Sequence, residues 1–447
     1  METMVEQLRP VDAAAAERTF RQLLVNSLVS GVTSSFLWFA LTFWLYLETR
    51  SVVATAIIGA AFSLSSALLG PAFGTYVDAH RKHQAMVLSN AIATGCFLAA
   101  FALYAVADER HLLSFTHPAF WALIAFTLLG SVAGSLRSVA LSTCVTLLVP
   151  EDRRDKANGL VGTITGVSFA ITSVFSGLVI GQAGMGWAIA ISAVLTTACL
   201  LHLMTLRIDE PDPDPDTVAS ASRVDIRAAI EAITAVPGLM MLVVLAAFNN
   251  LLGGVFMATM DAYGLSLVSV ETWGFLWGII SFAFIAGGLV VHRYGLGSTP
   301  VRVVLIGNLV NWAVCATFAL RSSIVLLTIG CCVWLFLMPV IEAAEQTVLQ
   351  RAVPFERQGR VFGFAQLVEN AAAPITAILL GPLTESVLMP FMTDGAGARW
   401  IGGWFGTGPE RGIGLLFTVA GLVGVITTFA AWTSRSYRRL VAAPAVA

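Results

Sequence analysis

The sequence predicts an all-α membrane protein. Twelve transmembrane helices form two pseudo-symmetric six-helix bundles, and both termini lie in the cytoplasm. Three observations predict it. Apolar residues make up 57% of the 447-residue chain and charged residues only 12%, against about 25% in soluble domains. Apolar runs of spanning length recur along the whole chain. Lys and Arg alternate between successive gaps, crowding every second one.

A spanning helix takes about 20 apolar residues. Such runs fall at roughly 22–46, 53–77, 84–107, 119–142, 158–181, 187–206, 239–262, 273–293, 301–320, 323–342, 360–384 and 412–433. With the N-terminus inside, the inner gaps collect nineteen of the 25 Lys and Arg residues; the outer gaps collect five, namely Arg50, Arg110, Arg321, Arg399 and Arg411. Cytoplasmic loops carry the excess of basic residues. One missed helix would invert every later loop and destroy the pattern, so the number of spans is even.

The longest inner segment divides the spans six and six. The domains are therefore expected as 1–206, a first bundle; 207–237, a cytoplasmic linker; and 238–447, a second bundle with a cytoplasmic tail. The linker opens on alternating Asp and Pro from Asp209, which no helix accommodates. From Val224 to Val236 apolar residues return at helical spacing between Asp225, Arg227 and Glu231. That pattern predicts a short amphipathic helix on the membrane surface.

Composition excludes several classes. A formal charge of −2 supplies no basic field for nucleic acid. Six cysteines, all in or beside apolar runs, have no metal-site spacing and read as packing residues. There is no phosphate-binding Gly-rich loop, no His/Glu metal cluster and no hydrolase set, so neither an enzyme nor a cofactor is expected. No cleavable leader is expected, because the first twenty residues mix acidic with basic side chains.

The halves share local signatures. Gly74-Thr-Tyr-Val-Asp78, followed by Arg81 and Lys82, ends the second span, and Gly287-Gly-Leu-Val-Val291-His292-Arg293 ends the eighth. Val149-Pro150-Glu-Asp-Arg153 precedes the fifth span, and Val353-Pro354-Phe-Glu-Arg357 the eleventh. A duplicated membrane fold places its site between the repeats near the bilayer midplane.

The run Gly70-Pro71-Ala-Phe-Gly74-Thr-Tyr-Val-Asp78-Ala-His-Arg81-Lys82 resembles the loop motif of the major facilitator superfamily. Leu148-Val-Pro150-Glu-Asp-Arg153 with Ala157-Asn158-Gly-Leu resembles its drug-and-proton antiporter branch, which includes macrolide efflux proteins and the enterobactin exporter. So does Val353-Pro354-Phe-Glu-Arg357-Gln-Gly359-Arg360-Val-Phe-Gly363. The sequence departs from the pattern at Val291, where the second copy of the loop motif would have Asp.

The resemblance implies a cytoplasmic latch of Gly74, Asp78, Arg81, Lys82 and Arg360, with the Asp78 carboxylate at the N-terminus of span eleven. A carboxylate is favourable there because unpaired N–H groups point at it. Glu369 lies about nine residues into span eleven, roughly 14 Å at 1.5 Å per residue. An acid at that depth is a candidate for taking up and releasing a proton. Glu342 and Glu345 close span ten, near the inner boundary, as further proton-coupling candidates or a gate pairing with Arg351. Asp261, near the outer end of span seven, is the fourth candidate. Arg137 is the one cation assigned to no loop; it either pairs with an acid across the cavity or snorkels to the inner surface. The superfamily lines its cavity with spans one, four, seven and ten. Phe36, Trp38, Arg137, Asn249, Asn250, Trp334 and Phe336 are the cavity candidates there, with Asn370 beside Glu369. Gly162, Gly166, Ser173 and Gly177 in span five, and Gly278, Gly287 and Gly288 in span eight, permit close approach of the halves.

The expectation is a secondary active transporter of the bacterial inner membrane, a monomer among lipids. It exports drugs or amphipathic small molecules by alternating access, coupled to protons. Export of a specific siderophore or lysolipid is the alternative within the family. A channel or receptor without proton coupling is the alternative outside it.

Overall fold

The computed structural model describes residues 13–49, 52–210, 212–213 and 226–442. Twelve helices of 18 residues or more run through it. They are α1 (Ala13–Thr49), α2 (Val52–Ala79), α3 (Lys82–Val106), α4 (Pro118–Leu148), α5 (Arg154–Gln182), α6 (Gly184–Thr205), α7 (Leu239–Leu267), α8 (Val270–Tyr294), α9 (Pro300–Thr317), α10 (Ile324–Ala352), α11 (Gln358–Leu383) and α12 (Pro409–Thr433). Among the described residues, nine of these are long and apolar enough to cross a membrane. The other three, α2, α5 and α11, meet across the halves and carry polar or small residues where they do. Helices are the expected solution in lipid, since each satisfies its own backbone polar groups.

The repeat seen in the sequence recurs in local structure. Pro150 and Pro354 each precede a single 3-10 turn, Glu151–Arg153 and Phe355–Arg357, which leads directly into α5 and α11. In both, proline fixes the extended backbone before the turn.

Within the first half, α1 packs on α5, α6 and α4, and α3 on α4 and α6; within the second, α7 packs on α11 and α12, and α9 on α10 and α12. The halves meet through α2 against α11 and α5 against α8 and α10. Four apolar cores follow from this packing among the described residues, the smallest of them Phe20, Leu24, Val145 and Ala157. One draws on both halves, setting Val77, Met86 and Leu141 with Leu242, Val348 and Phe362. The second runs from Phe36 to Ala193, wholly in the first half, and the third from Leu252 to Ala420, wholly in the second. The shared core lies at the end that carries Arg81, Lys82, Arg153, Arg293 and Arg357. At that basic end the halves pack on one another, and the other three cores each lie within one half.

Glycines trace the approach of α5 to α8. A Cβ at Gly159 would sit 2.7 Å from the Val291 side chain, and one at Gly288 2.5 Å from the Thr163 hydroxyl. Farther along, Gly181 on α5 and Gly274 and Gly278 on α8 face open space among the described residues. Gly278 therefore does not share in the close contact expected of it, whereas Gly162, Gly166 and Gly288 do; Gly287 packs instead on Phe336 and Pro339 of its own half. The side chains of Ser173 and Gly177 lie outside the described residues.

The segment predicted as an amphipathic helix is helical over Ile226–Ala235, and Val224 and Asp225 lie outside the described residues. Ala229, Ala232 and Ile233 are buried against α7 and α11, while Ile226 and Ile230 stay exposed. Arg411 is a second correction. Counted as an outer-loop cation, it is only 1% exposed in the first turn of α12. Its guanidinium donates to the carbonyls of Ala319 (2.9 Å) and Leu320 (3.1 Å) and to the Tyr263 hydroxyl (3.1 Å), and lies over the Phe405 ring. It ties α12 to α7 and to the turn after α9.

Candidate functional site

Two sites emerge, a seal at the basic end and a cavity within the second half. The seal begins at Asp78, on the last turn of α2 and 2% exposed. Its Oδ1 accepts from the Gly359 N–H at 2.6 Å and its Oδ2 from the Arg360 N–H at 2.9 Å. The Arg360 Nε lies 3.7 Å from the same Oδ2. A carboxylate from the first half thus takes the unpaired N–H groups that open a helix of the second. Glycine is required for this approach. A Cβ at Gly359 would stand 2.6 Å from the Gly74 carbonyl oxygen, and a Cβ at Gly74 would meet the Gly359 carbonyl.

The remaining latch residues act around this contact. Lys82 is buried, donates from Nζ to the Val77 carbonyl (2.9 Å) and lies 5.0 Å over the Phe355 ring. Arg81 does not touch α11; it pairs with Asp212 of the linker at 2.6 Å, exposed on both sides. Asp212 accordingly raises the guanidinium pKa further. Glu210, also in the linker, accepts from the Lys82 and His83 N–H groups (2.5 and 2.7 Å) and so caps α3.

The second copy of the seal has the carboxylate on the opposite partner. Val291 fills the place of Asp78. Asp155 occupies the place of Gly359, by the offset that aligns Val149-Pro150 with Val353-Pro354. Its Oδ2 accepts from the Leu296 N–H at 2.8 Å, and Gly295, at φ +73°, lets the turn after α8 approach. Between the two carboxylates sits a neutral knot. Asn158 donates to Thr347 (2.9 Å) and Gln350 (2.8 Å), and Gln350 donates to the Ser142 carbonyl (3.0 Å).

The cavity has a volume of about 250 Å³ and is walled by α7, α9, α10 and α11. From α10 come Glu342, Glu345, Gln346, Trp334 and Met338; from α11, Glu369 and Val368. From α7 come Asn249 and Asn250, and from α9 Asn308, Asn311 and Trp312. The three carboxylates are near enough to interact electrostatically. Among the described residues none of them has a cationic partner. The Trp312 indole donates to the Asn249 Oδ1 at 2.8 Å. Asn308 and Asn311 are 3% and 4% exposed, yet among the described residues the Asn308 Nδ2 and the Asn311 Oδ1 have no partner, and neither has the Asn249 Nδ2 or the Gln346 Oε1.

Of the residues expected at a site, Glu369, Asn249, Asn250 and Trp334 line this cavity. Glu342 and Glu345 lie farther from the end of α10 than the sequence places them. The helix does not end there: α10 continues to Ala352, so Glu342 lies ten residues, about 15 Å, from its basic end. Both acids share the space with Glu369, and neither pairs with Arg351. Arg137 is not at the cavity and neither pairs with an acid nor snorkels. It is 5% exposed inside the first half, donating to Asn26 (2.7 Å), Ser27 (3.0 Å) and Asn90 (3.0 Å). Phe36 is core, edge-on to Phe175, and Trp38 packs on Phe39 and Phe62. Phe336 lies beside Gly287 at the α8–α10 contact, and Asn370 is exposed one residue past the cavity wall. Asp261 is exposed and accepts from the indoles of Trp273 (3.0 Å) and Trp277 (3.2 Å).

Asn308, Asn311 and Trp312 went unread in the sequence. Two amides three residues apart in the apolar run of α9 lie on one helix face, which was the available signal. Asp155 was hidden among the charges of Arg153, Arg154 and Lys156.

Comparisons with known proteins fit this geometry. The family model described as Major Facilitator Superfamily matches residues 23–377. Macrolide efflux protein A of Streptococcus pyogenes is 23% identical over 376 residues, 80% of this chain and 88% of that protein. The enterobactin exporter EntS of Shigella boydii serotype 4 is 21% identical over 367 residues, 81% and 85% of the two chains. Among solved structures, the human organic anion transporter MFSD10 superposes with a TM-score of 0.68 at 14% identity, over 93% of this chain and 99% of that one. That last likeness is one of fold.

Proposed function

Since the chain belongs to the Major Facilitator Superfamily, and is a multi-pass membrane transporter rather than an enzyme, we propose that it exports amphipathic small molecules in exchange for protons by alternating access. The observation that carries the proposal is a cavity lined by three carboxylates, in a bundle whose halves share an apolar core and a carboxylate seal at the basic end. In this reading twelve helices span the bacterial inner membrane as a monomer. Residues 1–206 and 238–447 are the two bundles, and both termini and the linker 207–237 are cytoplasmic. The basic end then faces the cytoplasm, and the seal holds the cavity away from it. Protonation of Glu369, together with Glu342 and Glu345, discharges the cavity and favours release of substrate; loss of the protons readies it for the next. The macrolide and enterobactin exporters supply the direction of transport by analogy.

The test is substrate-dependent proton flux in proteoliposomes, with wild type and Glu369→Gln, against a panel of lipophilic cations, macrolides and siderophores. The expected result is proton movement driven by a panel member in wild type and lost in the variant, which still binds. Wild-type transport without proton movement would remove the coupling. Flux that does not saturate would point instead to a channel.

A further inference from the structure

We propose that the second-half cavity is a binding site for an organic ammonium group that also bears a hydrogen-bonding oxygen. Glu342, Glu345 and Glu369 bring three carboxylates to one space with no cationic side chain among the described residues to balance them. Acids in this setting persist when a partner or a cavity ligand answers their charge. The amides add an independent observation. Asn308 and Asn311 are more than nine-tenths buried, line the cavity and leave the Nδ2 of one and the Oδ1 of the other without a partner among the described residues. Buried polar atoms of native proteins are nearly always paired, and an exception marks a group awaiting a ligand or ordered water. Asn249 contributes a further unpartnered donor, its Oδ1 being held by Trp312.

Size and shape narrow the ligand. A space of about 250 Å³ is below the roughly 300–1,000 Å³ of pockets that swallow a drug-sized molecule. The site therefore takes the ammonium-bearing part of a larger molecule, or a small ammonium compound whole. Among the described residues no three His, Cys, Asp or Glu side chains close around a single metal ion. The acids instead surround a larger, more diffuse cation. Trp312 and Trp334 line the same space, and indoles are the preferred neighbours of alkylated ammonium groups. All of these residues belong to α7, α9, α10 and α11, so recognition resides in one half. This inference rests on the transport reading, since it names the class of molecule that the same cavity takes.

The probe is choline, a small quaternary ammonium alcohol that holds its charge at every pH. Its control is 3,3-dimethyl-1-butanol, in which carbon replaces the nitrogen at nearly unchanged shape. Binding of radiolabelled choline to the purified full chain in detergent is measured by equilibrium dialysis, with no gradient present. The expected result is saturable binding that the neutral alcohol fails to displace at equal concentration. Glu345→Gln combined with Glu369→Gln should weaken it about tenfold or more, since hydrogen bonds and contacts to charge are the strong ones. Asn311→Leu should weaken choline but not tetramethylammonium, which has no oxygen to offer. The inference is overturned if the neutral alcohol competes as well as choline, if choline does not saturate, or if the double variant binds undiminished. The comparison of charged with neutral probe uses wild type alone and decides even if a variant fails to fold. Proton-coupled efflux of a panel member without choline binding would overturn this inference and leave the transport reading standing. Choline binding without flux of any panel member would do the reverse.

Discussion

Replacing Asp78 by Asn perturbs the seal with a change of almost no volume. The carboxylate accepts from two backbone N–H groups, one at each oxygen, with the Arg360 guanidinium beside the second. Asparagine keeps one acceptor and turns an NH2 toward the other donor. One hydrogen bond to a charged acceptor is lost, a contribution of about 1.5–3 kcal/mol. The favourable meeting of a carboxylate with a helix N-terminus goes with it, about 0.3–1 kcal/mol. The total of about 2–4 kcal/mol corresponds to a shift of roughly 30- to 1,000-fold in the ratio of sealed to unsealed molecules. Spin labels at Gln84→Cys and Glu356→Cys, both exposed on either side of the seal, read that ratio as a distance distribution in a background lacking the native cysteines. The expected outcome is growth of a longer distance in Asp78→Asn. A ratio unchanged within threefold would refute the view that this carboxylate holds the halves together.

Asp155→Leu, which strands the Leu296 N–H, should loosen the seal by about 1–3 kcal/mol. In the same spin-label assay its effect should add to that of Asp78→Asn, because the two contacts share no partner. Arg411→Leu leaves the Ala319 and Leu320 carbonyls and the Tyr263 hydroxyl without a donor in a buried site. It should cost about 2–4 kcal/mol, read as a lowered Tm with substrate affinity preserved.

The latch was legible through the resemblance to the major facilitator superfamily, because the motifs that carry the resemblance are local strings. Gly74 and Asp78 sit on successive turns of α2, Gly359 and Arg360 are adjacent, and backbone N–H groups need no particular side chain opposite. Glu369 was legible because an acid far from either end of an apolar run has few explanations. The cavity as a whole was not. Asn308 and Asn311 matter only because α9 packs on α10, and no spacing along the chain reports that. Glu342 and Glu345 were placed too shallow because the apolar run ends before the helix does. α10 continues through Gln346, Gln350 and Arg351, and Gln350 bonds to Ser142 and Asn158 of the opposite half. Arg137 and Arg411 show the same limit for cations. Carbonyls, amides and hydroxyls supplied by distant helices hold them inside the protein, where loop counting assigns no place.

The polarity of the seal has a consequence for how the two halves came to differ. Both carboxylates, Asp78 and Asp155, belong to the first half, and the N–H groups they accept from, at Gly359, Arg360 and Leu296, belong to the second. The repeat has kept its shape while its two carboxylates have come to lie on one side and the N–H groups they accept from on the other. Two copies of the first half would press carboxylate toward carboxylate, and two copies of the second would present donors with nothing to receive them. Each half has become the obligate counterpart of the other, so exchange of a half between relatives succeeds only where the incoming piece carries the matching sign.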